Sequence, residues 1–445
     1  MAAREETEMM PKSVGLASTF LIAGILAATA AAAQPEIQVS VVGEPGETVV
    51  YEQLAANYNA EHPETKFVIT KNSSDLFNPA LIPSLSSGEG PELFVYGTGP
   101  GQPAAIIDGG LVADLTGYYK QYGWDKFIPQ SVVDVTSSKG KLWAVGNEVE
   151  TTGMFYNKAI FDKLGLKVPS TWEDFQGLIK SLKQAGYNTP IGLGGADKWP
   201  ISHWQSMLFG RYASPAGLQK VMFGDGAWNA PEFVKAAARL QDMAQQGYFG
   251  PNPVADGYAE IMEKFWAGKI PMTFTGSFAI QTGVATAGAR IDDFGVFQVP
   301  PFEATQKLYP TEGIGSGWYI SASSSHKDEI AAFLNYLLFT PTSRVTLLNA
   351  GTTPVGPLAD VLPKANLPKL TRAMAAFNDR DRANGTIYAY LDTVTPKNIT
   401  TLTYDGLQAL LLGQTTPQQF DDEIEAAWQT DKADGSVLKP GGLKP

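Results

Sequence analysis

At 445 residues the chain is too long for one ordinary hydrophobic core, which points to two lobes of comparable size. A formal net charge of −12, with lysines and arginines scattered rather than clustered, excludes nucleic acid and anionic lipid surfaces as partners. The absence of cysteine excludes disulfides, thiolate metal sites, cysteine nucleophiles and a lipid anchor on an N-terminal cysteine; the three histidines (His62, His203, His326) stand in no ligand spacing, so neither metal nor cofactor is expected.

The first residues are acidic, but from Met10 the chain reads MPKSVGLASTFLIAGILAATAAAAQ, with one lysine, an apolar run over about 14–28 and alanines before Gln34. That is the make-up of a secretory signal peptide over residues 1–33, cleaved near Ala33, with Met9 or Met10 as the working start. A membrane anchor would need a longer apolar run. The mature protein is expected to be free in a Gram-negative periplasm.

Residues 36–42 (EIQVSVV) alternate and are β-branched, the pattern of a first strand. A Gly43-Glu44-Pro45-Gly46 loop leads to a helix reaching about Asn59, with Val50, Leu54 and Tyr58 along one side. Strands over 66–70 and 92–96 flank a short helix over 78–85. This β-α-β-α-β order predicts a parallel, right-handed, doubly wound sheet with its ligand beyond the carboxyl ends of the strands. The next turn, Gly97-Thr98-Gly99-Pro100-Gly101-Gln102, lacks the third glycine of a dinucleotide fingerprint, and Pro103 interrupts its row of donors. It is read as a connector that lets backbone approach a ligand.

Residues 139–166 hold an extended run with Glu148 and Glu150, then a helix beginning near Asn157. Residues two apart on a strand face one side, so the segment is expected to cross between lobes and present a carboxylate to a ligand. Ser170, with Glu173 three residues on, predicts a capped helix running to about Ala185. The polar-aromatic loop 194–200, with Asp197 and Trp199, precedes a helix from about Ile201 that carries Trp204. Further helices are expected from Pro231 to Gly247 and over 259–267, and strands over 269–275 and 293–298. A second crossing is expected over 313–320, with Trp318 near its bend, and a third in the Pro-rich stretch from Gly351 to about Leu370. Between them lies a helix capped by Ser325. The C-terminal region is helical, with a capping box at Thr416 and a frayed last dozen residues.

The combination Thr171-Trp172-Glu173-Asp174-Phe175, the preceding Tyr156-Asn157-Lys158, and the segments AGKIPMTFTGSF and GSGWYISASSSHKDEIAAFLNYLL resembles the family 1 extracellular solute-binding proteins, the maltose-binding-protein-like receptors of ABC sugar importers. The resemblance implies an α/β, periplasmic binding protein-like (type II) fold: two doubly wound α/β lobes, residues 34–148 with 319–358 and 149–318 with 359–445, joined by three crossings and closing on a sugar by hinge bending. It also implies a monomer that hands its ligand to the membrane permease subunits of an ABC transporter. Glu150 stands six residues before Tyr156, where the family places a cleft carboxylate. Phe278 falls where maltodextrin binders stack a tryptophan, although Thr275-Gly276-Ser277 departs from their pattern and counts against a maltodextrin ligand. Glu44 corresponds to an acidic position in the loop after the first strand.

A sugar offers a ring of hydroxyls and apolar C–H faces, which carboxylates and aromatic side chains respectively engage. The candidate ligand contacts are Glu44, Glu150, Asp197, Trp199, Trp204, Phe278, Trp318 and Tyr404, with no catalytic residue and no metal ligand. Trp143, Trp172, Trp228, Trp266 and Trp428 follow strand or helix patterns and are assigned to cores. A secreted glycosidase would also pair carboxylates with aromatics, but Glu148 and Glu150 on one strand face lie side by side rather than on opposite faces of a sugar. A receptor for another solute, such as a polyamine, an iron chelate or an amino acid, is the second alternative.

Overall fold

Alternation and β-branching decide where the chain extends, and the extended segments gather into two main sheets. The computed structural model describes residues 34–437 apart from 43–47, 73, 382–383, 389 and 436. The expected signal segment, Glu44 and most of the frayed C-terminus therefore lie outside the described residues.

The first sheet has the order Lys66–Asn72, Glu36–Val42, Leu93–Gly97, Ser316–Ile320, Val145–Gly146. Its first three strands pair in parallel, with Ile37 opposite Phe67 and Val39 opposite Leu93, as the β-α-β-α-β order predicts. Ser316–Ile320 and Val145–Gly146 then add antiparallel. Helix Val49–Glu61 buries Val50, Leu54 and Tyr58, and Phe333 from helix Lys327–Phe339 stacks on Phe67 with ring centroids 4.1 Å apart.

The second sheet is built around Glu150–Asn157. That strand pairs antiparallel with Met272–Gly276 on one side, and with Thr311–Gly313 and Phe294–Phe297 in succession on the other. Ile191–Gly192 and Ile387–Tyr388 extend the sheet. Helix Lys369–Asp381 covers part of it, with Leu370, Met374 and Phe377 in one core cluster with Phe155 and Phe294.

The segments joining the sheets are tied to one another. Asn147 N–H donates to Ser316 O at 3.0 Å and Val149 N–H to Thr353 O at 2.8 Å, while the Thr98 hydroxyl donates to Ile314 O at 2.6 Å. Connecting backbone that passes under a cavity must satisfy its polar groups internally, and here the three strands of connection do so for each other. Among the described residues no helix is long and apolar enough to cross a membrane.

Several boundaries differ from the sequence reading for local reasons. The capping box after Pro169 is set one residue later: Asp174 N–H donates to Thr171 Oγ1 at 3.1 Å and Thr171 N–H to Asp174 Oδ2 at 3.1 Å, because Asp174 rather than Glu173 reaches back three residues. Ser325 does not cap helix Lys327–Phe339; Ser324 takes the His326 N–H at 3.0 Å and donates to Glu92 at 2.6 Å. The helix expected from Ile201 starts at Trp199, since Pro200 fits a first turn whose N–H groups need no intrahelical acceptor. The second crossing is two strands in different sheets, Thr311–Gly313 and Ser316–Ile320, bent at Ile314-Gly315.

Candidate functional site

Where strands Glu36–Val42 and Leu93–Gly97 end, a cavity of about 660 Å³ opens between the two sheets. The doubly wound topology predicts that position, because strand ends leave a crevice that no helix covers.

The crossing segment supplies the floor: Asn147, Glu148 and Glu150 all line the cavity. Glu150 Oε1 accepts the Gly315 N–H at 3.2 Å, and a Cβ on Gly315 would stand 2.8 Å from Glu150 Oε2, so a side chain there would have to push the carboxylate aside. Gln281 Nε2 donates to Glu148 Oε1 at 3.3 Å. Asn147 Oδ1 accepts from Tyr51 OH at 2.9 Å and Trp318 Nε1 at 2.8 Å, which leaves its amide nitrogen for the cavity.

Aromatic rings from four separate segments make one side. Trp199 and His203, one turn apart on helix Trp199–Phe223, have centroids 4.8 Å apart; Tyr258 lies 4.5 Å from Trp199, Tyr390 4.2 Å from His203, and Phe278 5.9 Å from Trp199. All five residues line the cavity, packed on one another in tilted and edge-on pairs. Next to them Tyr404 OH donates to Asp392 Oδ2. Asp197, exposed at the rim, accepts the Tyr258 N–H at 2.7 Å and so caps helix Tyr258–Trp266, where its charge meets the positive end of the helix.

Burial sets the protonation states. Loss of water raises Glu150 to about 7, an effect opposed by the nearby Tyr390 hydroxyl and by the Gly315 N–H bond and reinforced by the charge of Asp392. Asp392 is raised to about 6 by burial, against the hydrogen bonds from Tyr404 and from backbone N–H groups. His203 is lowered to about 3 by burial and is neutral at physiological pH. Tyr390 and Tyr404 are pushed well above the ordinary phenol value, first by burial and then by the neighbouring carboxylates.

Of the residues singled out from sequence, Glu150, Asp197, Trp199, Phe278 and Tyr404 line the cavity. Two expectations are corrected. Trp204 is wholly buried against Phe274 and Phe249, with centroids 4.6 and 5.5 Å away; at about 3.6 residues per turn, His203 returns to the face of Trp199 and Trp204 does not. Trp318 is also wholly buried, packed edge-on against Tyr51 at 5.3 Å, and does not line the cavity itself but backs Tyr51 and Asn147, which do. In the Gly-rich turn after the third strand Gly97 and Gln102 line the cavity, while Gly99 has φ +85° and admits protein backbone, since a Cβ there would stand 1.4 Å from Thr393 O. Sequence reasoning missed His203, Tyr258, Gln281, Tyr390 and Asp392 as cavity residues. Only His203 had a readable signal, its four-residue spacing from Trp199 on a helix.

Residues 44–341 match the family model described as bacterial extracellular solute-binding protein. The chain is similar to an uncharacterized ABC transporter extracellular-binding protein of Pyrococcus horikoshii, 25% identical over 183 residues that make up 40% of this chain and 41% of that protein. It is also similar to the multiple sugar-binding protein of Streptococcus mutans, 26% identical over 216 residues, 44% of this chain and 47% of that protein. The chain thus spans less than half the length of either relative. A solved chitin oligosaccharide binding protein shares the fold, with a TM-score of 0.75 over 89% of this chain and 99% of that one at 22% identity.

Proposed function

The chain belongs to the bacterial extracellular solute-binding protein family, and from that premise we propose that it is a receptor that captures a mono- or oligosaccharide in its cleft and delivers it to the permease subunits of an ABC importer. The observation that carries this reading is a single cavity of about 660 Å³, ample for a sugar, in which an aromatic wall stands beside buried carboxylates directly over the crossing segments. Rings cover the apolar faces of a pyranose, and Glu150 and Asp392 accept its hydroxyls in charge-assisted bonds. Relatives named for multiple sugars and for chitin oligosaccharide support a carbohydrate ligand.

In this reading Glu150, Asp197, Trp199, Phe278 and Tyr404 contact the sugar. The lobes are residues 34–148 with 319–358 and 149–318 with 359–445, and they shut by bending at the bonded crossings. The protein acts as a monomer without a lipid anchor, free in the periplasm after a signal peptide is removed near Ala33, and it makes and breaks no bond in the ligand. Capture from dilute solution followed by release calls for a dissociation constant on the order of 1 μM, about −8 kcal/mol.

A thermal-shift screen against a saccharide library tests the proposal, since a ligand that binds only the folded state raises the melting temperature. One or more sugars should raise it, and calorimetry on those should give saturable one-site binding. A shift with amino acids, polyamines or iron chelates and with no saccharide overturns it, as does hydrolysis of a bound oligosaccharide.

A further inference from the structure

Three non-glycine residues among the described ones have a positive φ: Lys139 at +53°, Lys198 at +67° and Ser214 at +67°. Lys139 precedes Gly140 in the tight turn between Ser137–Ser138 and Lys141–Leu142, and Ser214 marks a kink inside helix Trp199–Phe223. Lys198 differs from both, because the residues on either side of it, Asp197 and Trp199, line the cavity while Lys198 itself does not. With ψ at −49° it lies in the region of the γ-turn with positive φ, which is rare and strained for a residue with a Cβ. That single bend turns the chain from the short turn Gly195–Asp197 into the helix that begins at Trp199.

Strain persists only where the surroundings hold it, and this loop is held on two sides. Toward residues 253–258, Ala196 N–H donates to Asp256 O at 3.1 Å, Asp197 Oδ2 accepts the Tyr258 N–H at 2.7 Å, and a Cβ on Gly195 would stand 2.1 Å from Pro253 O. Toward helix Lys397–Leu411, Gln408 Nε2 donates to Gly195 O at 2.8 Å and Lys198 Nζ to Asp405 Oδ1 at 2.5 Å. Asp405 follows Tyr404, whose hydroxyl is bonded to Asp392 at the cavity. The ion pair itself is open to solvent, with side chains 37% and 62% exposed, and such a pair returns little stability. Glycine would take the same bend without strain, so stability does not account for a lysine here.

What the bend accomplishes is local to the site. It starts the helix at the residue that puts the Trp199 ring 4.5 Å from Tyr258 and 4.8 Å from His203, both of which line the cavity. Building on the sugar-receptor reading, we propose that Lys198 is a positioning residue: without touching the ligand, its strained bend, held by the contacts of the loop, fixes the angle of the Trp199 ring against the sugar. A wall fixed before the ligand arrives binds more tightly than one the ligand must order.

Calorimetry and thermal melting on the mature chain test this with glucose, galactose, maltose, cellobiose, xylobiose, N,N′-diacetylchitobiose and raffinose as probes. For each probe that binds the wild type, Lys198→Gly should weaken binding about fivefold with the melting temperature unchanged or raised, since the ring loses its fixed angle while the strain is relieved. Lys198→Arg, which keeps the Cβ and the charge, should recover the affinity that glycine loses. Because Lys198 acts through Trp199, Lys198→Gly should weaken binding no further once Trp199→Ala is in place. Unchanged affinity in Lys198→Gly, whatever its melting temperature, or a loss that adds in full to that of Trp199→Ala, overturns the positioning role and leaves the sugar receptor standing. No binding of any of these saccharides by the wild type overturns both.

Discussion

The two sides of the cavity are built differently. On the first-sheet side Val41, Ile82, Val95 and Tyr96 present mostly carbon, with Gln102, Asn147 and Ser316 as polar groups among them. The second-sheet side carries Trp199, His203, Tyr258 and Phe278 together with Gln281 and Asp392, and each polar group there is held by a neighbour or waits for one. Side chains locked by packing and second hydrogen bonds can discriminate among ligands, while an apolar face mainly excludes water and strengthens the bonds made opposite it. In a receptor that closes on its ligand, the second-sheet side would therefore hold the sugar and the first-sheet side would cover it.

Substitutions on the richer side should separate holding from folding. Trp204→Ala removes a wholly buried ring and is expected to cost about 3–5 kcal/mol of stability, read as a large fall in melting temperature. Five residues earlier, Trp199→Ala should leave the melting temperature nearly unchanged and weaken sugar binding about tenfold by calorimetry. If the two exchanged effects, the assignment of wall and core on this helix would be reversed. Glu150→Ala should likewise weaken binding about tenfold or more with little loss of fold, because it deletes a charge-assisted acceptor rather than packing; unchanged affinity in both Glu150→Ala and Trp199→Ala would remove the site.

The thinner side is probed where it touches the other. Gly99→Ala places a methyl group against Thr393 O at a positive φ, so the two sides cannot approach as they do here. Affinity should fall severalfold although no ligand contact is removed, and small-angle scattering should show less contraction on adding sugar. Full affinity and full contraction would separate that contact from closure.

The smallest expected effect is a pH dependence of the ligand-free protein. Because burial raises Glu150 to about 7 and Asp392 to about 6, the folded state holds protons between the ordinary carboxylate range and these values that the unfolded chain has released. The contribution of these two carboxylates to stability thus falls as pH rises through that window and levels off above it, while His203, lowered to about 3, contributes in the opposite sense. Asp421, raised to about 8 outside the cavity, tilts the curve the same way, so the cavity's share is the difference between wild type and Glu150→Gln. Glu150→Gln should flatten the fall in melting temperature between about pH 5 and pH 7 by a few degrees. Parallel curves would mean that Glu150 titrates normally.

Local rules located much of this molecule. Strand Glu36–Val42 agrees with its alternation to the residue, and the Thr416 capping box forms as read, because each depends on neighbours a few positions away. The period-two pairing of Glu148 and Glu150 likewise put both on the cavity floor. Where two local solutions compete, as with Ser170 and Thr171, only the geometry of the reaching carboxylate chose between them.

The chain alone therefore determined two sheet-and-helix halves, a carboxylate at their junction and aromatics near strand ends, since hydrophobic period and turn chemistry are written in consecutive residues. Only the tertiary structure decided that Tyr258, Gln281, Tyr390 and Asp392 meet and that Trp204 and Trp318 turn away. Such contacts join segments far apart in sequence, and burial, which sets both their chemistry and their charge, is a property of everything packed around them.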